Sequence, residues 1–238
     1  MKYRKIERLL FWFKDGDRDL TTLNDQFFGL AILLTRLLNE IYIGKKIKFI
    51  NIDFASDEKY RIFPQIPKNF VHYYGGGGGH LRFYGELDFL EFDSLNEKEQ
   101  KFCIWEKACS YMRLASNTIK NPSLLEATNY AYHKGLANKL NTDYRVLEEN
   151  IILYNQLIHA YVYIEFKSDS MVSKLVLEKR GIIILEKEID STQSGSEFFL
   201  EIYKKIEVIE NKVIVKIHRE VNYLPFYVLI DKHLITIS

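Results

Sequence analysis

Residues 70–89, FVHYYGGGGGHLRFYGELDF, decide how this chain reads. Five consecutive glycines, Gly75, Gly76, Gly77, Gly78 and Gly79, separate two segments in which polar and apolar residues alternate. Alternation at period two is the pattern of a half-buried strand, since successive side chains point to opposite faces. Pairing the two segments across the glycines sets Phe70 opposite Tyr84, His72 opposite Arg82 and Tyr74 opposite His80, all on one face. Glu86 and Asp88 extend that face, while Val71, Tyr73, Leu81, Phe83, Leu87 and Phe89 form the core-directed one. The stretch therefore reads as an amphipathic antiparallel hairpin.

Glycine loses more backbone entropy on ordering than any other residue, so five in a row are either a mobile tip or a segment ordered by something that approaches their bare amides. Consecutive amides can cradle a phosphate, but the known phosphate motifs fail here. A Walker loop needs Lys and then a helix after its last glycine, and this run is followed by His80 and a strand. The dinucleotide fingerprint fails at the same residue, and neither H-R-D nor D-F-G, the kinase companions of a glycine loop, occurs in the chain.

Outward from the hairpin, residues 45–92 read as an antiparallel meander with further strands at 47–49 and 60–63. Upstream, Asp19 caps a helix whose apolar residues Leu20, Leu23, Phe27, Leu30, Leu34, Leu37 and Ile41 recur at three and four positions. Phe28, Ala31, Ile32 and Leu38 lie off that stripe, so the helix is apolar over most of its circumference. Downstream, Ser94 and Glu97 have capping-box spacing before a helix with Phe102, Trp105, Cys109 and Met112 on one face. Asn121-Pro122 opens a second helix to about Leu140, whose Leu124, Ala127, Ala131 and Gly135 allow close packing as a helical hairpin. Residues 144–156 read as a third helix and 157–166 as a strand. Strands are expected at 171–177, 182–189, 208–210, 213–221, 226–230 and 233–237, with a turn at Asn211-Lys212 and a short helix within 196–205. The fold class is α+β, with antiparallel sheets from the N- and C-terminal parts packed with a helical middle layer. We read residues 1–238 as a single domain, with 1–93, 94–156 and 157–238 as the subdivision to test.

The composition bounds the function. Among 238 residues, 33 Lys plus Arg face 32 Asp plus Glu and 47% are hydrophobic, which excludes a disordered or collagen-like chain. A net charge of +1 gives no footprint for a polyanion, so nucleic acid is not the expected partner. Cys103 and Cys109 cannot form a disulfide framework, and their spacing on one helix points them about 120 degrees apart. The five apolar residues at 9–13 are too few for a signal-peptide core, and the run at 27–34 is too short for a membrane span. A cytoplasmic protein with no membrane partner is expected.

The remaining candidates for chemistry are weaker. Asp15, Asp17 and Asp19 imitate the start of a calcium loop, but Leu20 and Gln26 occupy the positions that need Gly and Glu. Glu165-Phe166-Lys167 resembles half of a metal-dependent nuclease site and lacks an upstream acid in a strand. His133, His159, His218 and His233 lack zinc-ligand spacing. No metal or cofactor is expected.

The hairpin's polar face is the strongest candidate. It gathers His72, Tyr74, Gly75, Gly76, Gly77, Gly78, Gly79, His80, Arg82, Tyr84, Glu86 and Asp88, a mixture of aromatic, Arg and acidic residues that suits protein recognition. The expected function is a non-enzymatic cytoplasmic protein-binding module, of the inhibitor or immunity-protein kind, that neutralises a partner protein through this face. The alternative is a phosphate- or nucleic-acid-processing enzyme that uses residues 75–79 with a nearby His and a carboxylate or metal site. A homo-oligomer assembled through the apolar helix at 20–41 is the third reading.

Overall fold

A computed structural model describes residues 5–44, 46–75, 79–218 and 226–236, the side chains of Leu234 and Thr236 excepted. The fold is α+β. The chain divides into two compact units, 1–142 and 143–238, and both long helices of the middle lie in the first.

The first unit holds a four-stranded sheet built from β1 (Arg8–Lys14), β2 (Phe49–Ala55), β3 (Phe70–Tyr74) and β4 (His80–Glu86), in the order β1-β2-β4-β3. β2 runs parallel to both β1 and β4, and only β3 and β4 form an antiparallel pair. The expected meander is thus corrected to a mixed sheet. Parallel strands need a crossover, and the segments between the strands supply it. Between β1 and β2 lie α1 (Thr21–Gln26) and α2 (Phe28–Ile41), and between β2 and β3 lies α3 (Asp57–Ile62).

α3 replaces the strand expected at 60–63. Ser56 accepts a hydrogen bond from Lys59 N, and Asp57 and Glu58 sit in the first turn, so capping and the helix dipole outweigh a short run of β-prone residues. The N-cap of α1 is Leu20, one residue beyond the expected Asp19, whose carboxylate accepts from Thr21 N at 3.0 Å just ahead of the helix. The helix breaks once at Phe27 before α2 continues. Eight residues of α2 are buried, among them Leu30, Leu34, Leu37 and Leu38, and the helix contacts both β1 and α6 (Pro122–Ala137). Its wide apolar circumference is therefore covered within the unit.

After β4 come α4 (Phe89–Ser94) and α5 (Glu97–Thr118), which packs on α6. The capping box is real but belongs to Asn96 and Glu99, two residues beyond the expected pair, because Ser94 ends α4. Asn121 caps α6 as expected, through Leu124 N. The small residue Gly135 explains the close helix approach: a Cβ there would lie 2.2 Å from the Trp105 ring. Ile50, Ile52 and Phe54 of β2 and Leu81 and Phe83 of β4 are buried in one core with α2, α5 and α6.

The second unit contains a meander of β5 (Tyr144–Leu153), β6 (Gln156–Phe166), β7 (Ser170–Lys179) and β8 (Ile182–Gln193), then α7 (Glu197–Glu201) and a three-stranded antiparallel sheet of β9 (Tyr203–Ile209), β10 (Lys212–Ile217) and β11 (Phe226–Leu229). β5 corrects the third helix. Its Arg and Glu residues favour a helix locally, yet Tyr154 and Asn155, both at positive φ, close a two-residue hairpin turn that commits 144–153 to pairing with β6. The strand expected at 233–237 is instead α8 (Lys232–Thr236), opened by Asp231, which accepts from His233 N at 2.9 Å. The expected strand positions 219–221 and Ile237 lie outside the described residues.

Candidate functional site

Strand alternation sorts the first unit's sheet into a face packed on helices and a face that is not. Leu81 and Phe83 go to the core, and His80, Arg82, Tyr84 and Glu86 go to the other side. The hairpin register is the expected one: Phe70 opposite Tyr84, His72 opposite Arg82, Tyr74 opposite His80. The parallel strands add Trp12, Phe49, Asn51, Asp53 and Lys14 to the same face, since Phe49, Asn51 and Asp53 of β2 pair with His80, Arg82 and Tyr84.

Rings form a continuous cluster across β3 and β4. Centroids of His72 and Tyr74 lie 3.8 Å apart, those of Tyr74 and His80 6.3 Å, and those of Phe70 and Tyr84 6.4 Å. The Arg82 guanidinium lies 5.0 Å from the Tyr84 centroid. Phe70, Tyr74 and Trp12 are exposed, at 44%, 52% and 38%. Large rings left in water at the surface of a well-packed sheet favour contact with another molecule.

Beside the rings lies a charged centre that the sequence did not announce. Asp53 is 2% exposed and sits between Lys14 Nζ at 2.8 Å and Arg82, whose Nη2 reaches its two oxygens at 2.9 and 3.1 Å and whose Nε lies at 3.3 Å. This buried carboxylate fixes the guanidinium of Arg82 in place, so the expected recognition residue arrives pre-organised.

A second polar chain runs beside it. Trp12 Nε1 donates to Asn51 Oδ1 at 3.3 Å, which orients the amide so that its Nδ2 donates to His80 Nε2 at 2.8 Å. A ring nitrogen that accepts carries no proton, so His80 is held neutral. Burial, followed by the charges of Arg82, Arg8 and His72, pushes its pKa below the ordinary histidine value.

One end of the face is roofed by α3 and the residues after it. Tyr60 donates to Gly85 O at 2.7 Å, and burial pushes its hydroxyl pKa well up. A cavity of about 50 Å³ remains there, lined by Lys14, Asp53, Ala55, Tyr60, Phe63, Ile66 and Tyr84 among others.

Two of the expected positions have structural roles. Asp88 does not extend the face: the strand ends at Glu86, and Asp88 caps α4, accepting from Leu90 N at 3.0 Å and Glu91 N at 3.2 Å. The alternation is lost there because the chain turns into a helix. Gly79, at φ +60, accepts from Lys48 N at 2.8 Å and Phe49 N at 3.2 Å, and a Cβ there would lie 1.8 Å from Lys46 O. It is a glycine for reasons of backbone approach. Gly75 follows β3 beside the Tyr73 ring, Glu86 pairs with Lys68 at 2.8 Å, and Gly76, Gly77 and Gly78 lie outside the described residues.

Elsewhere, Glu165 pairs with Lys174 at 2.8 Å, which also reaches Glu186 at 2.9 Å, so the nuclease-like triplet is part of a cross-strand ion-pair ladder. Asp15 bonds Arg18 in a turn. Among the described residues, no group of three or more His, Cys, Asp or Glu could hold a metal ion, and no helix is long and apolar enough to cross a membrane.

The residues missed from sequence are Trp12, Lys14, Asn51 and Asp53. Their alternation within RLLFWFK and FINIDFA was a signal for strands with one polar face, but nothing local says that these strands flank the hairpin. Comparison with protein-family models, curated proteins and solved structures finds no match.

Proposed function

We propose that this protein is a non-enzymatic, cytoplasmic binding module, of the inhibitor or immunity-protein kind, that engages a partner protein through the open sheet face of residues 1–142. The observation that carries the reading is the ring cluster of exposed Phe70 and Tyr74 with half-buried His72, His80 and Tyr84, beside an arginine locked by buried Asp53. Aromatic anchors and a rigid guanidinium are what dominates binding energy at protein interfaces, because little side-chain entropy is lost when they dock.

The test is capture from the native lysate with a tagged protein, compared with a Trp12→Ala, Phe70→Ala, Tyr74→Ala variant. These three are chosen because Arg82 also holds the fold. One protein recovered in stoichiometric amount by the parent and lost by the folded variant is the expected result. Equal recovery by both would remove the open face from the interface. If nothing is recovered while nucleotides or divalent metals raise Tm, the phosphate-processing alternative replaces this reading.

A further inference from the structure

The open face identifies the chemistry of what it binds, on the assumption that it binds a protein. The Asp53 carboxylate is shared by two cations, so the cluster keeps one uncompensated positive charge. Its polarity is directional: Asp53 is 2% exposed, whereas the side chains of Lys14 and Arg82 are 33% and 31% exposed. The negative end is buried and the positive end faces out.

Donors remain for a second acceptor. Arg82 directs Nε and Nη2 to Asp53, while its Nη1 has no acceptor among the described residues, and the Lys14 ammonium directs one of its three N–H groups to Asp53. Of the acids on this face, Asp53 is buried and Glu86 is engaged by Lys68 at 2.8 Å. The adjoining cavity of about 50 Å³ has apolar walls in Ala55, Phe63 and Ile66. That space suits the aliphatic stem of a short acidic side chain.

We infer that the partner docks an aspartate or glutamate side chain onto Lys14 and Arg82, and that the surface recognised is therefore an acidic protein surface. The incoming carboxylate balances the spare charge, accepts from the free guanidinium edge in the fork geometry that suits Arg, and sets its aliphatic stem against the apolar walls beside Tyr84. Partly exposed cations next to aromatic rings give such a contact more strength than an open surface pair has.

The experiment is an NMR titration of the full chain, following the Arg82 Nε–H and Trp12 indole resonances. The probes are the peptide acetyl-Gly-Glu-Leu-Glu-Tyr-Gly-amide, its counterpart with Gln for Glu, and an eight-residue oligothymidylate. The expected result is saturable shifts with the Glu peptide at least tenfold tighter than the Gln peptide, a fivefold or greater loss in Lys14→Gln, and recovery in Lys14→Arg. Unchanged Trp105 signals show that the variants remain folded. Equal affinity for the two peptides, or no shift with either, overturns carboxylate recognition and leaves the protein-binding reading to the capture experiment. Oligothymidylate binding more tightly than the Glu peptide overturns both.

Discussion

Replacing Asp53 by Asn should destabilise the first unit by about 2–3 kcal/mol. The figure starts from the cost of breaking a buried ion pair by removing one partner, about 3–5 kcal/mol, which reflects the charge left behind without compensation. Here the acid is 2% exposed but its partners are about one-third exposed, so Lys14 and Arg82 can turn partly to water and the cost falls. Arg82→Gln should cost less, about 1–2 kcal/mol, because Lys14 still neutralises the buried carboxylate. The double variant should show a coupling of about 1–2 kcal/mol, within the range for residues in one network. Urea unfolding followed by tryptophan fluorescence is the assay. Both tryptophans, Trp12 and Trp105, lie in residues 1–142, so the signal follows the first unit whatever the second does. An Asp53→Asn variant within about 0.5 kcal/mol of the parent, or strictly additive single changes, would refute the idea that Asp53 organises the face.

Gly79→Ala should cost about 2–4 kcal/mol, because it combines a left-handed backbone position with a collision against Lys46 O at 1.8 Å; a loss below about 1 kcal/mol in the same assay would contradict that geometry. The lowered pKa of His80 makes a signed prediction. The unfolded ring takes up its proton first as pH falls through the ordinary value near 6.5, so its contribution to stability is present above that pH and lost below it. Urea midpoints between about pH 7.5 and 5.5 should fall more steeply for the parent than for His80→Gln, and parallel profiles would show that the ring is not held neutral. Cys109 is fully buried with its thiol pushed up to about 12, so it should resist thiol reagents in the native protein at pH 8 while half-buried Cys103 reacts slowly; labelling of Cys109 first would mean that α5 opens.

What the sequence made legible was local. The β3–β4 register followed from alternation on both sides of the glycines, and the α5–α6 hairpin from small residues at helical spacing, of which Gly135 against Trp105 is the clearest case. Long-range order was not legible. That β2 runs between β1 and β4, parallel to both, depends on crossovers through α2 and α3, and no residue in FINIDFA records which strands will flank it. The centre of the site was missed for this reason: Asp53, Lys14 and Arg82 come from three strands and meet only through that topology. The β5 segment misled differently, since its Glu and Arg residues carry helix propensity while the two-residue turn at Tyr154 and Asn155 was not recognised.

The central claim is that the open sheet face meets another protein. Its most direct measurement places a photo-crosslinking amino acid at Tyr74 on that face and, separately, at the exposed Leu114 of α5, a helix that packs with the core on the other side of the sheet. Illumination in the native cells, followed by mass spectrometry, should give one discrete adduct with one partner protein from position 74 and none from position 114. Adducts from position 114 alone, or from neither position while the protein is folded and abundant, would contradict the account.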